Sequence, residues 1–357
     1  MIITRTPFRI SFFGGGTDYP DWYLHNGGSV LSTTIDKYCY LTVRYLPDVF
    51  EEKHRFVYSK IEQCIDNKSI GHPGIRECLK YLNFEKGLEI FHQGDLPARS
   101  GMATSSAFVV GLLSALYGLI GIYKNNTDLY KESIYIEQKL MNENVGSQDQ
   151  VSTAMGGLNF IEFNKGGNIN VNPIPLSDYR IKLLNKNLHL FYTGIQRNSN
   201  KFAKLYTSNI TKNRRQLRML KQFVDEGIDI LCSNKNLDEF GYLLHENWLI
   251  KQSISEDISA SSINNMYKTA LSAGAKGGKL LGAGGGGFLL LYIKPEDLVN
   301  VKEALSEYKY IPFAMENDGT KIIYHLPSSI DSSEADITKS NISAMNFNLN
   351  RSEICNS

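Results

Sequence analysis

Between Ile2 and Arg44 the apolar positions follow a strand-like pattern. Arg9-Ile-Ser-Phe-Phe runs into the turn-rich Gly14-Gly-Gly-Thr-Asp-Tyr-Pro, and Tyr38-Cys-Tyr-Leu-Thr-Val-Arg resumes the strand composition. Residues 74 to 83 predict a short helix and Leu88 to His92 a strand. After the loop Gly94-Asp-Leu-Pro-Ala-Arg-Ser-Gly, small and apolar residues from about Thr104 to Leu119 predict a helix with no polar face, buried on all sides. A second helix begins near Thr127 or Asp128 and continues through Tyr130, Ile134, Glu137 and Met141, spaced three or four apart. Gly156 to Phe163, the turn Asn164-Lys-Gly-Gly-Asn and Ile169 to Pro173 predict a β-hairpin. Composition shifts at Pro173-Ile-Pro-Leu-Ser-Asp, which predicts a domain boundary there: 1–175 before it, 176–326 after it, and a tail at 327–357. The second half opens with a strand at Leu188 to Thr193, continues with helical stretches between Ser199 and Ala273, and returns to a strand at Phe288 to Tyr292. This mixture predicts an α+β fold. The tail is polar and rich in Ser and Asn, a composition that predicts loose order.

The 357-residue length agrees with two domains, and 42% apolar against 21% charged residues describes a globular chain with a sizeable core. Thirty-eight Lys and Arg against 37 Asp and Glu leave a formal charge of +1, which argues against bulk-charge binding to nucleic acid or a polybasic membrane anchor. Ser100 to Tyr123 is free of charge for 24 residues, long enough to span a membrane. Its hydroxyl-rich start and Gly111, Gly118 and Gly121 instead predict a core helix. Five cysteines without a C-x-x-C pair, and an N-terminus without a signal peptide's apolar run, predict reduced thiols in a cytoplasmic protein. A small-molecule partner is the expectation that remains.

Three segments carry candidate chemistry. Pro97-Ala-Arg-Ser-Gly-Met-Ala-Thr-Ser-Ser-Ala precedes the apolar helix, whose first N–H groups lack intrahelical partners and carry partial positive charge. A polyphosphate can bind there: Gly101 and Ala103 let the backbone approach, and Thr104, Ser105 or Ser106 supplies a hydroxyl to Mg²⁺ or caps the helix. A plain Ser/Thr cap is the other reading. Lys276 to Phe288 holds seven glycines in thirteen positions, and Gly282, Gly284 and Gly287 match G-x-G-x-x-G. A strand follows the run, which is the wrong context for a dinucleotide-binding turn, and no P-loop motif occurs. Glu137 on the second helix and Asp149, on what reads as a polar turn, form the third set. If both face the phosphate loop, one carboxylate can ligate Mg²⁺ while the other orients or deprotonates a hydroxyl nucleophile.

Taken in order, these segments resemble the three motifs of the GHMP kinases: Thr6-Pro-Phe-Arg-Ile-Ser-Phe-Phe-Gly-Gly-Gly-Thr-Asp-Tyr-Pro, then Pro97-x-x-x-Gly-Met-Ala-Thr-Ser-Ser-Ala, then Gly282 to Gly287. Met102, Ala103, Thr104 and Ser106 depart from the family's P-x-x-x-G-L-G-S-S-A-A. The resemblance, over roughly residues 1–326, implies an N-terminal domain like ribosomal protein S5 domain 2 and a ferredoxin-like C-terminal domain. It also implies ATP-dependent transfer to a hydroxyl. ATP is then expected at Pro97, Arg99, Ser100, Gly101, Met102, Ala103, Thr104, Ser105 and Ser106, and Mg²⁺ at Ser105 and Glu137. Asp149, reached by a one-residue gap, falls on the family's base and Arg9 on a basic residue beside the reacting hydroxyl. The acceptor is expected at Arg5, Gly15, Gly16, Thr17, Asp18, Arg197, Gly284, Gly285 and Gly286, with Lys201 beside Arg197 as a phosphate clamp. Gly14-Gly-Gly-Thr-Asp-Tyr-Pro, Gly146-Ser-Gln-Asp-Gln and Tyr192-Thr-Gly-Ile-Gln-Arg are similar to the subgroup that phosphorylates the C1 hydroxyl of D-glycero-D-manno-heptose 7-phosphate. That subgroup implies a sugar phosphate as partner and a place in surface polysaccharide synthesis. The alternatives are a kinase of an unphosphorylated sugar such as fucose, and a sensor that binds without transfer. The sequence carries no signal for an oligomeric state.

Overall fold

The computed structural model describes residues 1–196, 212–254, 258 and 260–327. Arg197 and Lys201 lie outside the described residues, as does the tail from residue 328.

Two sheets organise the chain. In the first, β1 (Ile2–Phe13) pairs antiparallel along its length with β2 (Gly28–Tyr45), and the short helix α1 (Pro20–Asn26) joins them. The strand expected at Tyr38–Arg44 is thus the C-terminal part of one long strand. It reaches β5 (Leu88–Gly94) through its C-terminal half and β6 (Leu158–Phe163) through its N-terminal half. β3 (His54–Val57) and β4 (Ile61–Cys64) extend the sheet beyond β5, and β7 (Ile169–Pro173) completes the expected hairpin with β6. In the second sheet the order is β11 (Lys309–Ile311), β8 (Leu188–Tyr192), β10 (Phe288–Tyr292), β9 (Gly277–Leu280), all neighbours antiparallel. The chain then returns: β12 (Met315–Glu316) pairs with β2 and β13 (Lys321–His325) with the start of β1. Residues 315–325, grouped above with the second unit, therefore hydrogen-bond into the first sheet.

The helix α3 (Thr104–Leu119) has the boundaries expected from sequence and packs on β1 and β2; the Thr4 hydroxyl donates to the Gly111 carbonyl at 3.1 Å. Every residue from Ser106 to Tyr117 is buried. Its uncharged run is a core helix, and burying Leu112, Leu113 or Leu116 contributes about 1.5–3 kcal/mol each. No described helix is long and apolar enough to cross a membrane. Helix α2 (Pro73–Tyr81) flanks α3. The predicted second helix ends as an α-helix, α4 (Asn126–Tyr135), and continues through one π-helical turn, Ile136–Leu140. Asp149, expected on a turn, lies in the first turn of a further helix, α5 (Gln148–Met155).

On the other side of the molecule α6 (Asp178–Asn187) leads into β8. Helix α7 (Arg214–Cys232) packs on β1 and β2, and α8 (Asp238–Gln252) on β9 and β10. The helices α9 (Ser261–Ser272) and α10 (Leu298–Ala304) complete that layer. The two sheets meet at the end of β1. Phe240 of α8 makes edge contacts with Phe12 and Phe13 at centroid distances of 5.3 and 5.1 Å, and Lys279 of β9 donates to the Phe12 carbonyl at 2.6 Å. This seam forms one side of a cleft.

Candidate active site

The loop before α3 is bent by three left-handed residues: Arg99, Gly101 and Ala103, with φ of 60°, 84° and 62°. Alternation of this kind turns successive N–H groups toward one side and makes an anion-binding concavity. Ala103 is the residue before the helix, and it offers no side-chain cap, so the first N–H groups of α3 stay available. The plain-cap reading is therefore not what the structure displays. The Ser100 hydroxyl is buried without a hydrogen-bond partner among the described residues. Behind the loop lies the glycine run: a Cβ on Gly287, whose φ is 101°, would sit 2.1 Å from the Ser100 carbonyl oxygen, so only glycine lets the two backbones touch.

The π-helical turn carries Glu137, completely buried, toward α3 and α5. Its Oε2 accepts from the Ser106 hydroxyl at 2.9 Å and from the Gln150 amide at 2.7 Å, while Oε1 has no partner among the described residues. Burial, reinforced by the nearby Glu143, pushes its carboxyl up to about 8 against the pull of Ser106 and Gln150. A buried carboxylate with neutral partners and an open oxygen is satisfied by a cation. Carboxylate and hydroxyl are the hard oxygen donors that suit Mg²⁺, which needs one or two protein carboxylates when phosphate oxygens supply the rest. The described residues fit this ion. The hydroxyl brought to Glu137 is that of Ser106, whereas Ser105, the residue expected there, is exposed in the first turn of α3.

On the facing strand, Arg9 is buried to 3% exposure and ties three parts together. Its Nε and Nη2 donate to Asp149 Oδ1 at 2.9 and 2.5 Å, and Nη1 donates to the Gly101 carbonyl of the loop before α3 at 2.8 Å. Both bonds to Asp149 go to Oδ1, which leaves Oδ2 outside the pair. Asp18 lies nearby, also buried; its oxygens accept from the N–H groups of Gly16 at 2.9 Å and Gln148 at 3.2 Å. Burial, and then the charge of Asp149, raise its carboxyl above the usual range. Gly146 presses so closely on the Asp18 carboxylate that a Cβ there would meet Oδ2 at 1.9 Å.

Arg9, Gly15, Gly16, Asp18, Gly101 and Asp149 line one cleft, as the sequence reading grouped them. Other expected residues do not line it. Arg5 pairs with Glu316 and Asp318 and covers the Tyr38 ring. The Thr17 hydroxyl holds the carbonyls of Gly14 and Ser29. Among the glycines, Gly285 donates to the Ile258 carbonyl and Gly286 packs on Ile195, while Gly282 and Ala283 face the cleft. The opposite wall went unforeseen: Asn247 and Lys251 of α8 and Lys279 of β9, all buried. The signal was present in α8, where Phe240, Leu243, Leu244 and Trp248 mark a buried face on which Asn247 and Lys251 also fall by helical spacing.

Comparison with known proteins agrees with this geometry. Residues 73–157 match the GHMP kinases N terminal domain and residues 229–311 the GHMP kinases C terminal domain. The chain is 27% identical over 339 residues to the D-glycero-alpha-D-manno-heptose 7-phosphate kinase of Campylobacter jejuni, covering 90% of this chain and 98% of that one. It is 24% identical to the L-fucokinase/L-fucose-1-P guanylyltransferase of Bacteroides fragilis, covering 85% of this chain and 36% of that protein. Among solved structures, a D-glycero-D-manno-heptose 1-phosphate kinase from Bacteroides thetaiotaomicron superposes with a TM-score of 0.75 at 22% identity, over 92% of this chain and all of that one. The galactokinase of Lactococcus lactis, complexed with galactose, superposes with a TM-score of 0.70 at 17% identity, over 90% and 94% of the two chains. With both characteristic domains matched in order, and the loop before α3 in the first closed by the glycine run of the second, this chain carries the N- and C-terminal domains of the GHMP kinases.

Proposed function

We propose that this kinase transfers the γ-phosphoryl group of ATP to the C1 hydroxyl of D-glycero-D-manno-heptose 7-phosphate, giving the 1,7-bisphosphate. The observation that carries the chemistry is the Arg9 fork, which holds Asp149 by one oxygen at 2.5 Å and the phosphate loop by the Gly101 carbonyl. One residue thereby fixes the distance between the group that receives the hydroxyl proton and the loop that receives the nucleotide. Asp149 Oδ2 takes that proton as the hydroxyl oxygen attacks, and the Arg9 charge stabilises the negative charge that develops beside it. The bent backbone at Arg99 to Ala103 and the first turn of α3 cradle the phosphates of ATP. Glu137 and Ser106, with Ser105 at the next position, would hold Mg²⁺, which neutralises phosphate charge when bound. Asp18 and the Gly15–Gly16 turn hold acceptor hydroxyls.

The heptose is supported by the likeness to the Campylobacter jejuni enzyme over nearly its whole length. The likeness to part of the L-fucokinase/L-fucose-1-P guanylyltransferase of Bacteroides fragilis favours a second reading, a kinase of an unphosphorylated sugar. An ADP-release assay with Mg-ATP against heptose 7-phosphate, fucose and galactose separates them. Turnover with the heptose phosphate is expected; turnover of fucose or galactose without it overturns the first reading.

A further inference from the structure

The wall of the cleft formed by α8 contains an amide that the protein itself leaves unused. Asn247 is 1% exposed, lines the cleft, and has no hydrogen-bond partner among the described residues for either Oδ1 or Nδ2. Leaving both ends of a buried amide unpaired is costly, and a leucine of similar size would fit a helix face otherwise occupied by Leu243, Leu244 and Trp248 without that cost. The Ser11 hydroxyl of β1 lines the same cleft, buried at 5% exposure and equally without a partner. The chemistry of these two groups selects among possible occupants. An amide offers a donor and an acceptor together, and so does a hydroxyl. Phosphate oxygens of ATP only accept, and would leave Asn247 Oδ1 as empty as before. A polyhydroxylated carbon chain, with neighbouring hydroxyls that both give and take hydrogen bonds, satisfies both ends.

We propose that Asn247, assisted by Ser11, is a specificity-determining residue that reads the hydroxyls of the acceptor sugar from the side of the cleft opposite Asp18. The inference rests on the sugar-kinase reading above and adds, in Asn247, a wall of the site that the three sequence motifs do not reach. A site built to pair with a hydroxyl discriminates strongly against an acceptor that lacks it, because the protein groups are then left buried and unpaired.

The test is Asn247→Leu, compared with wild type in three measurements. The acceptor KM rises about tenfold to a hundredfold, as expected for losing two neutral hydrogen bonds, while the ATP KM stays within about twofold. The melting temperature of the free enzyme stays level or rises, since the replaced amide had no partners to lose; a merely structural asparagine would lower it. Ser11→Ala gives a smaller rise in acceptor KM. An unchanged acceptor KM, or equal rises for acceptor and ATP, overturns the proposal. Sugar binding followed by thermal shift with heptose 7-phosphate, fucose and galactose separates this from failure of the kinase reading. If wild type binds a sugar without turning it over, loss of that binding in Asn247→Leu sustains the inference while the catalytic reading falls. Equal binding by the two proteins, or none by wild type, overturns the inference.

Discussion

The two walls of the cleft are built on different plans. On the β1 side, Arg9 holds Asp149, Ser106 and Gln150 hold Glu137, and the N–H groups of Gly16 and Gln148 hold Asp18, through hydrogen bonds of 2.5 to 3.2 Å whose geometry is set before any ligand arrives. On the α8 side, Asn247 is equally buried and has no hydrogen-bond partner among the described residues. In the proposed reaction Arg9, Asp149 and Glu137 of the first wall meet chemistry that is the same in every turnover, where fixed dipoles lower the barrier because they need no rearrangement. The second meets the molecule that must be told apart from others, and unpaired polar groups impose a penalty on whatever fails to pair with them. The first wall has open atoms too, the Ser11 hydroxyl among them, and one is informative: Glu137 keeps Oε1 without a partner among the described residues, where a cation is expected.

The largest expected effect breaks the preorganised wall at its centre. Asp149→Asn lowers kcat by at least about 10²-fold with little change in ATP KM, the lower range of general-base contributions. A near-normal kcat in steady-state assays would reduce Asp149 to a positioning role. Next, Glu137→Gln and Ser106→Ala raise the Mg²⁺ concentration for half-maximal rate by about tenfold or more, and Ser105→Ala by less. A larger shift for Ser105→Ala in a magnesium titration returns the ligand role to the exposed serine.

A third prediction concerns the seam. Burial, with Arg9 nearby, brings the Lys279 ammonium down to about 7 from its ordinary 10.5. Between these values the unfolded chain binds more protons than the folded one, so this residue makes stability rise with pH from about 7 toward 10.5, with a slope of up to about 1.4 kcal/mol per pH unit. Lys279→Met removes that rise. Urea midpoints compared from neutral to alkaline pH check it, and parallel curves for the two proteins contradict it. The smallest effect belongs to Ala103, held at φ 62°, where a side chain is strained. Ala103→Gly stabilises by about 0.5–1 kcal/mol in the same denaturation experiment, leaving the loop bent as it is.

Much of the first wall was legible because its chemistry is local. Gly101, the helix start at Thr104 and the fully apolar α3 follow from neighbouring residues, and the observed helix bounds match the expected ones. Asp149 was misplaced on a turn because α5 has no apolar rhythm: its buried residues include Gln148, Gln150, Ser152 and Thr153, which face polar partners such as Glu137 and Ser32. Periodicity cannot register a helix whose inner face is polar. The choice of Ser106 over Ser105 was equally out of reach, since it depends on a π-helical turn that alters the direction in which Glu137 points.

By itself, then, the sequence determined the pieces whose physics lies within a few residues: the α+β alternation, the phosphate loop with its unpaired amides, the apolar helix behind it, and the residue types able to transfer a proton or hold a cation. Tertiary structure alone decided which of them meet. Arg9 and Asp149 are 140 positions apart, and β12 and β13 return across the whole chain to β1 and β2. The second wall became part of the site only when Phe240 and Lys279 closed against the end of β1. Contacts of that range carry no local pattern, because what selects them is the burial of two surfaces against each other rather than the preference of any one segment.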